Sequence, residues 1–413
     1  MNKTFLFWLL LIIFFPLDNV FSQWTQTATV NGDVRALAVG GTNLFASSYG
    51  GGVSLSTDNG NTWVAINNGL TSTDVPTLIV QGTNIFAGTF NRGVFLSTNS
   101  GTSWTAVNNG LPKDPYDTNY YAIVQTFAIS GINLFAGTYY GVFLSTNSGT
   151  SWTSVNSGLT YANVITLAVK DTNLIAGTNG GGVFLSTNNG TNWTNVGIAL
   201  SMNAVHAFTR IDANIFASGY AHVFLSTDMG AHWETIENGG TLNKDTWSLA
   251  VSGTNLFAGT YNGGVFLSTN NGSLWMTVND GLQDSTGYVF AFASNDTYLF
   301  AATGHVWRRS LSEMVTGIEN EVNQTPSQYV LQQNYPNPFN PATTIFFSLR
   351  SKSSVSMKVF DIVGREVAIL VSEEMSAGNH TCRWNAANMA SGIYFYRLQA
   401  GLFTDTKKLV LLR

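Results

Sequence analysis

The stretch VITLAVKDTNLIAGTNGGGVFLSTNNGTNWTNV, Val164 to Val196, holds in miniature the fold of most of this chain. It reads as four short strands, Val164–Val169, Asn173–Thr178, Gly182–Ser186 and Trp193–Val196. β-Branched and apolar residues fill the segments, and Asn, Asp, Thr and Gly fill the breaks, as tight turns require. The same sentence recurs along the chain: an inner strand, a "TN" turn, "LFAGT", a Gly-rich turn, "GVFLST", then Asx-x-Gly-x-x-Trp.

The tryptophans that close the copies are Trp63, Trp104, Trp152, Trp193, Trp233 and Trp275, spaced by 41, 48, 41, 40 and 42 residues. That period is the size of a four-stranded propeller blade. A seventh copy starts at Tyr288, passes Leu299-Phe300-Ala301 and reaches Val306-Trp307, but lacks its own final strand. At the other end of the chain Trp24-Thr25 matches the Trp-Thr of the "WTAVN" and "WTNVG" segments. The N-terminal strand is therefore expected to complete the last blade and close the ring, which leaves no open end to the array. The expected fold is all-β: a seven-bladed β-propeller of four-stranded blades over residues 23–310.

The closing turn is strictest at Ser56-Thr57-Asp58-Asn59-Gly60-Asn61-Thr62-Trp63. Its Asx is Asp58, Asn99, Asn147, Asn188, Asp228 and Asn270, and its Gly is Gly60, Gly101, Gly149, Gly190, Gly230 and Gly272. An Asx side chain bonds backbone N–H groups across the hairpin, Gly accepts a positive φ, and Trp plugs the space between blades. Asn and Asp serve equally there, as a structural turn allows and a metal or catalytic carboxylate does not. These residues resemble the Asp-box (bacterial neuraminidase) repeat family over about residues 24–310. The resemblance implies a propeller with the boxes on the face away from the ligand site. It implies no single chemistry, because the family includes sialidases, sortilin-type receptors, xyloglucanases and photosystem II assembly factors. A sialidase would bring an arginine triad, a Tyr nucleophile with a Glu partner, an Arg-Ile-Pro motif and six blades. This propeller has only Arg35, Arg92, Arg210, Arg308 and Arg309, with Arg210-Ile211-Asp212 in place of the motif. Xyloglucanases set paired acids between two propellers, and a single one is read here. A non-enzyme is expected.

Composition agrees with strands and turns: Gly 41, Trp 11, Tyr 15 and Phe 27, with only 10% charged residues. Cys382 is the only cysteine, so no intrachain disulfide forms and a large core must supply stability. From Gln23 to Arg309 there are 8 Lys+Arg against 14 Asp+Glu, which argues against nucleic acid as a partner. From Gln328 onward the balance reverses to 9 against 5, without a basic run beyond Lys407-Lys408. At the N-terminus Lys3, the apolar run Phe5 to Phe15, Pro16 and Val20-Phe21-Ser22 read as a signal peptide over residues 1–22, with a mature start at Gln23. The run is too short to span a bilayer, which takes about 20 residues.

After a polar linker (311–327), Leu331-Gln332-Gln333-Asn334-Tyr335-Pro336-Asn337-Pro338-Phe339-Asn340-Pro341 opens a second region, 328–413. Its alternating segments Ile345–Leu349, Val355–Phe360, Val367–Val371 and Ile393–Leu398 are punctuated by Gly364 and Gly392. They read as a small immunoglobulin-like β-sandwich with an edge strand at the terminus. The "NYPNPFNP" opening, the Gly-Ile-Tyr strand and the Lys-Lys-Leu-Val-Leu ending resemble the type A sorting domain of type IX secretion. That resemblance implies the type IX machinery as partner, and passage through the periplasm to the outer cell surface or the medium. An adhesive or carbohydrate-binding sandwich is the alternative for this domain.

Positions that the fold needs repeat in every blade, and positions that differ are free for another task. The loop entering each inner strand shares a face with the turn between strands two and three. The residue opening the inner strand is Asp33, Asp74, Ile123, Asn163, Ala204, Asp245 and Tyr288, and the second residue within it is Arg35, Pro76, Gln125, Ile165, His206, Trp247 and Phe290. The two–three turns carry Tyr49, Phe90, Tyr139, Asn179, Tyr220 and Tyr261, and the longest connector adds Asp114, Tyr116, Asp117, Tyr120 and Tyr121. The candidate ligand residues are Arg35, Tyr49, Phe90, Arg92, Tyr116, Tyr120, Tyr121, Tyr139, His206, Tyr220, Trp247 and Tyr261. Such a rim suits stacking on sugars or clasping a peptide, and tyrosines that merely cap blade edges are the structural alternative. Asp33 and Asp74, on adjacent blades, would be the acid–base pair of a glycan-active hydrolase. His206, His222, His232 and His305 lack ligand spacing, so no metal and no cofactor are expected, and a monomer is expected.

Overall fold

The computed structural model describes residues 23–170, 172–197, 204–220, 222–236, 242, 244–284, 287–312, 314, 328–334, 337 and 339–412. Residues 1–22, read above as a signal peptide, and most of the expected linker lie outside them. The chain divides into two compact units at Met314/Val315.

The first unit contains seven four-stranded antiparallel sheets. Their inner strands, blades one to seven in turn, are Asp33–Gly40, Thr77–Gln81, Val124–Ser130, Val164–Lys170, Ala207–Ile211, Thr246–Ser252 and Ala291–Ser294. Each inner strand packs against the next, and that of blade seven packs against that of blade one, so the ring is closed. The closing strand is Thr25–Gln26, paired with Val306–Ser310 through Thr25↔Arg308 and Gln26↔Trp307.

The tryptophans hold neighbouring blades together. Trp104, Trp152 and Trp193 donate their indole N–H to Ile66 O (2.6 Å), Val107 O (2.8 Å) and Val155 O (2.7 Å), each just past the outer strand of the preceding blade. Trp24 repeats the pattern with Val278 O (2.6 Å), and its backbone N–H reaches Asp280 O (2.7 Å), as that of Trp104 reaches Asn68 O (2.8 Å). Trp24 therefore occupies the tryptophan position of blade seven. Trp233 departs from the pattern and donates to Gly230 O of its own turn (3.0 Å). The inter-blade bonding also corrects one boundary: in blade four the outer strand is Thr194–Asn195 alone, because the Trp193 N–H leaves the ladder for Ser157 O.

Within the recurrent turn the Asx oxygen bridges a serine hydroxyl and a backbone N–H. Asp58 Oδ1 accepts from Ser56 Oγ (2.8 Å) and Thr62 N (2.9 Å), while Gly60 N donates to Ser56 Oγ (2.8 Å). Asn99, Asn147, Asn188, Asp228 and Asn270 do the same through Ser97, Ser145, Ser186, Ser226 and Ser268. Sequence reasoning did not single out that buried serine, although it recurs in every "FLST". A second clasp also passed unnoticed. Asn67 accepts from Val53 N (2.8 Å) and donates to Gly51 O (2.9 Å), and Asn108, Asn156 and Asn279 repeat the acceptor bond with Val94, Val142 and Val265. Gly52 beneath it has φ +76°, and a Cβ there would lie 2.3 Å from Asn67 Oδ1.

The second unit is a two-sheet antiparallel sandwich. One sheet has the order Val330–Leu331, Ala342–Leu349, Gly378–Asn385; the other has the order Glu366–Met375, Ser353–Phe360, Gly392–Ala400, Phe403–Leu411. Ile345, Phe347, Met357, Val359, Trp384, Tyr396, Leu398 and Leu409 fill its core. The opening motif covers the free edge of the terminal strand: Phe339 N donates to Val410 O (2.9 Å), Leu412 N to Phe339 O (3.0 Å) and Val410 N to Asn337 Oδ1 (2.7 Å). An uncovered edge would invite pairing with another chain.

Candidate functional site

The face opposite the Asx turns is shaped by a repeated irregularity. The register between strands one and two slips between Val34 and Ala36, Val124 and Thr126, Val164 and Thr166, and Thr246 and Ser248. The extra residues are Arg35, Gln125, Ile165 and Trp247, the positions singled out in the sequence as the variable second residue. A bulge bends its strand and re-aims the side chain it carries. Four of the seven variable positions are thus ones that the backbone takes out of the ladder.

From blade five to blade two these residues join into one continuous arc. Tyr220 meets His206 (centroids 6.3 Å apart), and His206 stacks on Trp247 (4.2 Å, 20°). Trp247 meets Tyr288 edge-on (4.8 Å, 80°), and Tyr288 stacks on both Tyr261 (4.3 Å, 27°) and Phe290 (5.2 Å, 18°). The Arg35 guanidinium lies 3.9 Å from the Phe290 centroid and 4.8 Å from that of Tyr49, which meets Phe90 at 88°. Tyr220, Tyr261 and Phe90 are exposed, and the rings between them are half-buried. Tyr288 and Phe290 were visible in the positional comparison but were not chosen as candidates, although they bridge the two halves of the arc.

The other candidates lie elsewhere on the face. Arg92 sits over Tyr120 (5.2 Å) and Lys113 over Tyr121 (3.5 Å), in a connector that folds back on itself through Lys113↔Tyr121. Tyr116, in that connector, is almost wholly exposed at 97%, and no contact ties it to the arc. Tyr139 is exposed, and its hydroxyl lies near enough to Tyr49 to influence it electrostatically.

Carboxylates on this face are engaged. Asp33 pairs with Arg35, Asp74 Oδ1 accepts from Gly50 N (2.9 Å), and Asp245 Oδ2 accepts from Trp247 Nε1 (3.0 Å). Asp33 and Asp74 are thus held by different partners. Asp284 Oδ2 takes three donors, Thr303 Oγ1 (3.0 Å), His305 Nδ1 (3.0 Å) and Trp307 Nε1 (3.2 Å). His206 Nε2 lies 3.5 Å from Asp245 Oδ1, and neither atom has a hydrogen-bond partner. Burial holds the His206 pKa below the usual histidine value, against the pull of Asp245. Burial likewise pushes the Tyr49 phenol up. Among the described residues no three His, Cys, Asp or Glu side chains converge as metal ligands do.

Comparison with known proteins identifies the second unit. Residues 333–412 match the family described as the secretion system C-terminal sorting domain. No curated protein matches the chain. Solved structures share the fold at low identity. The extracellular domain of a hybrid two-component system from B. thetaiotaomicron matches at 13% identity and TM-score 0.60, over 94% of this chain but only 57% of its own length. PorZ, a surface component of the type-IX secretion system of Porphyromonas gingivalis, matches at 14% and 0.52, over 91% and 59%. A GH74 xyloglucanase from Xanthomonas campestris matches at 13% and 0.55, over 79% and 59%. The chain therefore spans less than two thirds of each of these three structures. Its β-propeller precedes a C-terminal sorting domain of the secretion-system family, which marks the protein for type IX export to the outer cell surface or the medium.

Proposed function

We propose that this exported protein is a binding protein, not an enzyme, and that its propeller recognises a glycan or peptide through the aromatic arc. The observation that carries this reading is the contrast between the two faces. The Asx turn is nearly identical in six copies, whereas the arc is a continuous run of different rings across five adjacent blades. A hydrolase would need two carboxylates free to act as acid and base in one cleft. Asp33, Asp74, Asp245 and Asp284 each already have a donor.

The test is retention of glycan and peptide arrays on the full-length mature chain. Each aromatic contact contributes about 0.5–1.5 kcal/mol beyond area burial, so replacing Trp247 and Tyr261 together by Ala should weaken binding roughly 5- to 150-fold. Asp58→Asn should leave binding unchanged, because four blades already carry Asn there. Turnover of a glycan that is lost in Asp33→Asn with Asp74→Asn would sink the reading in favour of a hydrolase.

A further inference from the structure

We infer that the ligand of the arc is an extended peptide rather than a sugar; this rests on the arc being the binding surface. Sugar recognition by aromatic residues uses open, flat ring faces, onto which the C–H groups of a pyranose settle. In the middle of the arc the faces are already taken. Tyr288 is stacked against Tyr261 and Phe290, Phe290 also carries the Arg35 guanidinium, and Trp247 carries the His206 ring. A half-buried ring covered on its faces can offer solvent only its edge.

Ring edges are the positive part of the aromatic quadrupole, and the guanidinium continues that row of positive, donor-rich groups. Such a row seeks acceptors. Alongside it stand acceptors that seek donors. The Asp33 side chain is 46% exposed although paired, and Asp74 has committed Oδ1 to the Gly50 N–H. An extended peptide offers both kinds of group in strict alternation, C=O and N–H, with a rise of about 3.3 Å per residue.

The deciding experiment presents the full-length mature chain with two probes: a phage-displayed random dodecapeptide library, and a panel of cello-, xylo-, manno- and chito-hexaose. The expected result is enrichment of peptides whose affinity falls at least tenfold in Arg35→Gln and in Tyr288→Leu, with no displacement by the hexaoses. Should Tyr288→Leu fail to fold, Tyr261→Leu at the exposed end of the stack serves in its place. Binding of a hexaose without peptide enrichment would overturn the inference and leave the binding reading standing. Peptides that bind regardless of these substitutions would overturn it too, by placing the contact elsewhere. Retention of neither class would overturn the binding reading along with it.

Discussion

Ring closure rests on Trp24, which stands next to the expected mature N-terminus and so is the first part of the ring that would fray. The indole is 2% exposed and makes two bonds to blade six, through Nε1 to Val278 O and through its backbone N–H to Asp280 O. A buried Trp removes about 150–250 Å² from water, or roughly 4–6 kcal/mol at about 25 cal/mol per Å², and that area term is an upper bound. Alanine keeps a small part of it and leaves Val278 O without its indole donor, so Trp24→Ala should cost about 4 kcal/mol, within the usual range for such truncations. Trp233→Ala is the internal control. Trp233 bonds within its own turn and is only partly buried, so its loss should cost clearly less. Urea denaturation followed by far-ultraviolet circular dichroism measures both. Deleting Gln23 to Val30 should be worse than either, since it removes the closing strand and bares the edge of Val306–Ser310. If Trp24→Ala proves milder than Trp233→Ala, the closing strand does not hold the ring in solution and the reasoning fails.

Three further outcomes follow from the same structure. Because burial lowers the folded-state pKa of His206, the unfolded chain binds the extra proton first as pH falls below about 6.5. Stability should therefore drop between that pH and the folded pKa, by at most about 1.4 kcal/mol per pH unit, and His206→Gln should flatten the slope; an unchanged slope would mean that His206 is solvated. Burial pushes the Cys382 thiol up to about 11, so maleimide should label the native protein at pH 7.5 far more slowly than the urea-unfolded chain; equal rates would contradict its burial. Intact-mass analysis of protein from the culture medium should give a species that starts near Gln23 and ends near residue 327, and a mature species running through Arg413 would count against removal of the sorting domain.

The blades were legible in the sequence because what builds them is local. The serine, Asx, Gly and Trp of each turn lie within eight residues, the hydrogen bonds of the serine and Asx close over at most four, and six copies print the same instruction. Even the closing strand was readable, since Trp24-Thr25 is a fragment of that instruction displaced to the other terminus. The sorting domain was legible for a different reason: its opening and ending motifs are distinctive, though only the fold shows that one covers the edge of the other. The candidate site was half legible. Comparing blades found the variable positions and most of the rings of the arc, but passed over Tyr288 and Phe290 and could not show that Asp33 and Asp74 have separate partners. Bulges, stacking and burial depend on which blade stands beside which, and on backbone register that no single repeat encodes. The tertiary structure alone decided that Arg35 lies between Phe290 and Tyr49, and that His206 is stacked on Trp247.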